Sequence, residues 1–229
     1  MLHVLVAFDR MGDLPVHVRT ERARLQHEFM DRALRATGNR PDEVGRFSEG
    51  DDLLCAMPVE TPVDGAVETL PESLAKQLDR HNRVAGEAFR LKAVLSFSCG
   101  PSRNAHGRLI GPGRDNAVAQ AGRKAVRAML QKEPAGTVVT VLDAVLFENY
   151  VRPEFGENLN PADFVEIPGR PPVWCSPTRV RRDAVPSSMP ARPCSADRRR
   201  SRQILALAIA LLLAAGALWL VLAGAPVGT

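Results

Sequence analysis

Two periods of hydrophobic positions alternate along this chain. The run His3-Val-Leu-Val-Ala-Phe8 is apolar almost throughout, as expected of a short strand buried on both faces. From about Val18 to Ala36, the residues Ala23, Leu25, Phe29, Met30, Ala33 and Leu34 recur at helical spacing between charges. This predicts an amphipathic helix, ended by Gly38-Asn-Arg-Pro41. Val44–Phe47 and Leu53–Met57 flank an acidic turn as a predicted hairpin. A loop with Pro58, Pro62 and Gly65 follows, then a predicted helix from about Glu72 to Phe89 with Leu74, Leu78 and Val84 inward. Leu91–Cys99 reads as a strand, and residues 100–113 as a Gly/Pro-punctuated loop or second hairpin. A helix is expected from about Asn116 to Gln131, with Val118, Ala121, Val126 and Leu130 inward, and then a strand at Thr137–Leu142. Asp143 should N-cap a short helix through Tyr150, and Asp163–Ile167 reads as a last strand. The order β-α-β-β-α-β, extended by α-β, predicts an α+β domain over residues 1–168 with a ferredoxin-like core and a C-terminal αβ extension.

The pattern then changes twice. Residues 169–202 are rich in Pro, Ser and Arg and are expected to form a disordered linker. Its arginines suit either contact with anionic lipid headgroups or a plain solubilising spacer. Residues 203–225 contain an uninterrupted apolar run from Ile204 to Ala225, and about 20 such residues cross a bilayer core. Trp219 lies towards its far end, and Arg198-Arg-Arg-Ser-Arg202 precedes it. Arginines flanking a span stay on the cytoplasmic side, so the segment is expected to be a single-pass anchor in the cell membrane with the N-terminal domain in the cytoplasm.

Charge follows the same division. The net charge of +4 over 229 residues hides 21 Lys+Arg against 24 Asp+Glu in residues 1–168, and 9 against 2 in residues 169–229. The domain itself is slightly acidic, which argues against nucleic acid as its partner. The four cysteines form no C-x-x-C or Cys/His cluster; Cys55 and Cys99 lie in apolar runs and read as small buried hydrophobes of a reducing compartment.

The candidate chemistry is acidic. Asp9 ends the first strand, and Asp51-Asp52 lies in the hairpin turn. Paired side by side, these strands would bring Asp9 and Asp51 together as oxygen ligands for a hard divalent cation. The alternative is a pair of solvated turns, since Asp favours both positions. Arg123 shares its helix with Lys124 and Arg127, so it is either an anion-binding group or part of a basic solvated face. His106 is either a site residue or an ordinary loop histidine. The Gly107–Gly113 stretch lacks the G-x-x-x-x-G-K-[ST] pattern of a phosphate-binding loop.

Element order and motifs together resemble the class III nucleotidyl (adenylate/guanylate) cyclase homology domain, in the form of a divergent bacterial member with a C-terminal transmembrane anchor. Val6-Ala-Phe-Asp9 resembles the first metal motif, and Arg46-Phe-Ser-Glu-Gly-Asp51 the hairpin motif. Val94-Leu-Ser-Phe-Ser-Cys-Gly100 stands where that family has a strand ending in H-x-G. Val118-Ala-Gln-Ala-Gly-Arg123 stands at V-N-x-A-A-R. The resemblance implies that Asp9 and Asp51 hold two Mg2+ or Mn2+ ions and that Arg10, Met11, Gly12 and Arg46 line the nucleotide. It also implies that Arg123 stabilises charge on the transferring phosphate, and that two copies form the site as a homodimer. The implied reaction closes a nucleoside triphosphate to a 3′,5′-cyclic nucleotide with release of pyrophosphate. Three positions depart from the pattern: Ala119 replaces the ribose-orienting Asn, Phe47 lies near the base-reading Lys, and Pro112 or Gly113 falls at its partner Asp, for which Asp115 or Asn116 could substitute. The same resemblance therefore admits a catalytically degenerate domain that binds a nucleotide, or only dimerises, and signals to its membrane segment.

Overall fold

The computed structural model describes residues 1–9, 15–154 and 159–180. Every described residue falls in one compact unit, Met1–Arg181. The expected anchor at 203–225 thus lies outside the described residues. Among those described, no helix is long and apolar enough to cross a membrane.

The elements run β1 (Leu2–Phe8), α1 (Val16–Ala36), β2 (Gly45–Glu49), β3 (Asp52–Ala56), α2 (Val63–Val84), β4 (Ala93–Cys99), β5 (Arg103–Ala105), β6 (Arg108–Ile110), α3 (Pro112–Ala121), α4 (Lys124–Lys132), β7 (Val138–Asp143), α5 (Ala144–Leu146), β8 (Val165–Ile167) and β9 (Val173–Thr178). Seven strands form one sheet in the order β2-β3-β1-β4-β7-β9-β8, antiparallel except where β4 meets β7. Its first four strands have the order of a ferredoxin-like βαββαβ unit, and α3, α4, β7 and the strands after it form the extension. The fold class expected from the sequence is the one observed.

Alternation along β1 divides the core. Val4, Val6 and Phe8 join Leu53, Cys55, Leu95 and Phe97 beneath α1 and α2, where Phe29, Met30, Leu70, Leu74 and Leu78 close the layer. Leu5 and Ala7 join Leu54, Val94, Val139 and Val141 on the other face, covered by Ala117 and Ala121 of α3 and by Val126 and Leu130 of α4. Asp143 caps α5 as expected: its side chain accepts from the Leu146 amide at 2.8 Å, and from the Cys99 amide at 3.3 Å.

Five expectations need correction. Helix α2 begins at Val63, not Glu72, and runs through Pro71. A mid-helix proline costs about 3 kcal/mol, but Ala66, Val67, Leu70, Pro71, Leu74 and Leu78 form one continuous buried stripe across it, and packing outweighs that cost. The same helix ends at Val84, which is 87% exposed rather than inward, and Ala23 of α1 also faces solvent. The helix expected over 116–131 is two: Gly122 closes α3 by donating to the Val118 carbonyl, and Arg123, extended at ψ 132°, starts α4. Lastly, the linker does not begin at 169. Val173, Trp174 and Cys175 form a buried strand between β7 and β8, and Trp174 stacks on Phe147 at 4.6 Å between centroids. Pro177 is tolerated in β9 because β8 pairs only with residues 173–175, which leaves the end of β9 as an edge.

Candidate functional site

The antiparallel β1–β3 register pairs Val6 with Leu53. Extended three residues, it sets Asp9 opposite Gly50 in the hairpin turn. Gly50 sits at φ +65°, where a side chain would be strained, and takes the first position of the two-residue turn Gly50-Asp51. The register thus carries both acidic segments to the same end of the sheet.

What surrounds them is cationic. Arg22, from the first turns of α1, donates from Nη2 to the Asp9 carbonyl, and its guanidinium lies 5.9 Å from the centre of the Phe8 ring. Burial lowers the Arg22 pKa from its ordinary value, while the carboxylates of Asp9, Asp51 and Asp52 act to raise it. From the opposite side α4 contributes the Gln131 amide, which donates to Asp9 Oδ1 at 2.6 Å. Arg127 of the same helix approaches Asp52 to 3.9 Å. Across the hairpin Glu49, paired in register with Asp52, is held by Arg114 of α3, whose Nε donates at 2.9 Å. Asp51 alone stands exposed at the tip.

The other candidates lie elsewhere or outside the described residues. Arg10, Met11 and Gly12 are not among those described. Arg46 is a tether between β2 and α1: it forms a 2.5 Å ion pair with Asp31 and donates to the Pro41 carbonyl at 3.0 Å. Its register partner Cys55 faces Val4, five residues or roughly 17 Å along β1 from Asp9. Arg123 donates to the Pro171 carbonyl at 2.5 Å, and its Nη1 packs so closely on Gly169 that a Cβ there would lie 2.6 Å away. Eight residues of α4, about 12 Å of helical rise, separate it from Gln131 beside Asp9. Ala119 is exposed on α3, and His106 is exposed in the β5–β6 turn at φ 51°. Burial pushes the thiols of Cys55 and Cys175 up to about 12, far from nucleophilic.

Do these residues suit a pair of divalent cations? The oxygen donors are of the right kind. Among the described residues, however, no three Asp, Glu, His or Cys side chains are grouped as metal ligands. Asp9, Asp52 and Glu49 already accept from or pair with groups of their own chain. Arg114 and Arg127 pair with Glu49 and Asp52, which leaves Asp9, already bonded by Gln131, and the exposed Asp51 to face two doubly charged ions. The set does not fit the two-metal site that the family resemblance implies.

Sequence reading missed Arg22 and Gln131. The signal for Arg22 was present: it lies four and seven residues before the buried Gln26 and Phe29, a cation on the inward stripe of α1. Gln131 follows Arg127 by one helical turn, but nothing in the sequence says that this face of α4 meets β1.

No family model and no curated protein sequence match the chain. Solved structures do. The chain is similar to an adenylate/guanylate cyclase/hydrolase from Silicibacter pomeroyi (14% identity, 77% of this chain and 96% of that one, TM-score 0.48). It is also similar to the monomeric guanylyl cyclase domain of the RhoGC fusion protein from the aquatic fungus Blastocladiella emersonii (13%, 76% and 93%, TM-score 0.46). A third is a bacterial light-regulated adenylyl cyclase (11%, 78% and 90%, TM-score 0.43).

Proposed function

We propose that this chain is a catalytically degenerate, nucleotidyl cyclase-like module that works by binding a nucleoside triphosphate and pairing with a second copy, without turning the nucleotide over. One observation carries the reading: Asp9 Oδ1 is already bonded by Gln131, and the neighbouring hairpin carboxylates Glu49 and Asp52 are paired with Arg114 and Arg127 of the same chain. Two others support it. Ala119 has no hydrogen-bonding group for a ribose, and loss of one positioned transition-state donor costs about 10²–10³ in rate. Arg123 sits a helix length from Asp9, so a site using both groups needs a partner copy. The apolar run at 203–225, behind its arginines, would tether the module to the cytoplasmic side of the cell membrane and receive its output.

The test uses the full-length protein in detergent, incubated with each nucleoside triphosphate and Mg2+ or Mn2+. The expected result is neither cyclic nucleotide nor pyrophosphate above background, with saturable triphosphate binding and a dimeric mass by light scattering. Cyclic product that disappears in Asp51→Asn would show instead a working cyclase.

A further inference from the structure

Helix α4 is tied at both ends to the segment that carries β9. At its start, Arg123 donates from Nη2 to the Pro171 carbonyl at 2.5 Å, and its Nη1 packs on Gly169. Just past its end, Glu133 is paired with Arg179, whose Nε donates to Oε2 at 2.9 Å, and the Glu133 side chain is only 13% exposed. α4 leads back into β7, and β9 pairs antiparallel with β7, so helix and strand run the same way. From Arg123 to Glu133 the helix rises about 15 Å, whereas Pro171 to Arg179 spans roughly 26 Å of strand. Two long arginine side chains, one at each end, bridge that difference. Val126 and Leu130 of α4 share an apolar cluster with Val173 and Cys175 of the strap.

The same helix carries the groups that hold the strand-end acids. Gln131 donates to Asp9 Oδ1, and Arg127, one turn earlier, lies 3.9 Å from Asp52. Lys92 ties a knot at this end. Its ammonium donates to the Leu130 and Gln131 carbonyls at 3.3 and 3.0 Å, while its own carbonyl accepts from the Asp9 amide at 2.9 Å. α4 is also jointed: Arg123 at ψ 132° and Glu133 at ψ 149° are extended, so helical backbone stops at both ends. A hydrogen-bonded helix between two such joints, with Val126 and Leu130 as its buried residues, moves as one piece, because element-terminal residues absorb the backbone change.

We propose that α4 is a lever between the exit of the chain and the strand-end acids. The strap over residues 169–179 sets the helix, and the helix sets Gln131 against Asp9 and Arg127 against Asp52. After Arg179 the sequence runs on to the apolar segment 203–225. A displacement passed along it reaches the acids through α4, and by reciprocity a ligand that alters the acids shifts the strap. That last step rests on the nucleotide binding proposed above; the coupling itself is measured without nucleotide.

Hydrogen exchange of the full-length protein in detergent, followed by mass spectrometry, reads the lever. Glu133→Gln and Arg179→Gln each break the grip at the end of α4. Each should speed exchange of the hairpin amides over residues 46–56 by about three- to fivefold, the upper part of the range for one ion pair, since Glu133 is largely shielded. The double variant should match either single one. In an Arg127→Gln/Gln131→Ala background α4 no longer holds the acids, so adding Glu133→Gln should change hairpin exchange by less than about twofold. Arg152→Gln, which opens an exposed pair with Glu148 outside this route, should leave the hairpin unchanged. Unchanged hairpin exchange in both Glu133→Gln and Arg179→Gln would overturn the lever, and so would a full effect of Glu133→Gln in the cut background. Where a nucleoside triphosphate binds wild type, exchange over residues 173–179 should shift, and bound triphosphate without that shift would overturn the lever as well. Absence of any triphosphate binding would sink the proposed function, while the nucleotide-free variants still decide the lever.

Discussion

The two faces of the sheet are built from different materials. Beneath α1 and α2 the contact is mostly apolar from Leu2 to Trp174, with Gln26 and Ser73 the buried polar side chains of the two helices, and it closes at the extension through the stacked pair Phe147 and Trp174. Beneath α3 and α4 the apolar cluster is smaller and polar groups are inserted into it. Ser96 donates to Gln120 at 3.2 Å, His3 bonds Ser102 at 2.7 Å, and the helices hold the hairpin by ion pairs. His3 Nδ1, Ser98 Oγ and Gln120 Nε2 are buried with no hydrogen-bond partner among the described residues. Hydrophobic contact is non-directional and tolerant, whereas buried polar contact is directional and costly when incomplete. One face therefore holds the fold, and the other holds two short helices in a particular place over the strand ends.

The largest effect should come from breaking that asymmetry with matched deletions. Leu70 of α2 and Leu130 of α4 are both fully buried. Leu70 lies mid-way along a 22-residue helix that cannot close around a void, whereas the nine-residue α4 can shift into one. We expect Leu70→Ala to cost about 4 kcal/mol and Leu130→Ala about 2 kcal/mol in urea unfolding, because the cost of a cavity depends on how far its walls collapse. Equal costs, or a larger one for Leu130→Ala, would show that the two layers are equally rigid. Hydrogen exchange gives a second reading: α4 amides should exchange through an opening that leaves β1 and β4 protected.

The same contrast explains what could be read from the sequence. Apolar periodicity reports burial, so β1, α1, the hairpin, β4 and β7 were legible, and with them the ferredoxin-like core. β9 was not, because Pro171, Pro172 and Pro177 and the nearby arginines mask Val173-Trp-Cys175, a run too short to stand out beside a tail of similar composition. α2 was cut short because Pro71 reads as a boundary, although its flanks continue one stripe. At the site, Asp9 and Asp51 were legible because turns and strand ends are local features. The pairing of the neighbouring hairpin acids was not, since Arg127–Asp52 and Arg114–Glu49 join residues 75 and 65 positions apart. Such contacts depend on where α3 and α4 come to rest, which no local pattern encodes.

A smaller effect should follow the pH. Burial holds the His3 imidazole below its ordinary value of 6.5, and the nearby N-terminal ammonium acts in the same direction. The unfolded chain therefore binds a proton more readily than the folded one. The stability tied to neutral His3 is complete above about pH 6.5 and is lost as the pH falls through the depressed folded value. The urea midpoint of wild type should decline between about pH 7.5 and pH 5, and His3→Gln should flatten that decline. An identical slope in the variant would show that His3 is protonated equally in both states and that the α3 face admits its charge.

The smallest effect is the most specific to the polar layer. Ser98 is fully buried in β4 opposite His3, and its hydroxyl has no partner among the described residues. A buried hydroxyl without a partner costs free energy, so Ser98→Ala should leave stability unchanged or raise it by up to about 1 kcal/mol. Ser96→Ala, two residues earlier on the same face, strands the Gln120 carbonyl oxygen and should cost about 1 kcal/mol instead. The opposite signs separate an incomplete polar layer from a hydrated one. If Ser98→Ala costs as much as Ser96→Ala, the hydroxyl is bridged by buried water, which typically makes about three hydrogen bonds. In that case the polar atoms of His3, Ser98 and Gln120 are the walls of one hydrated pocket, and α3 is seated on water rather than directly on the sheet.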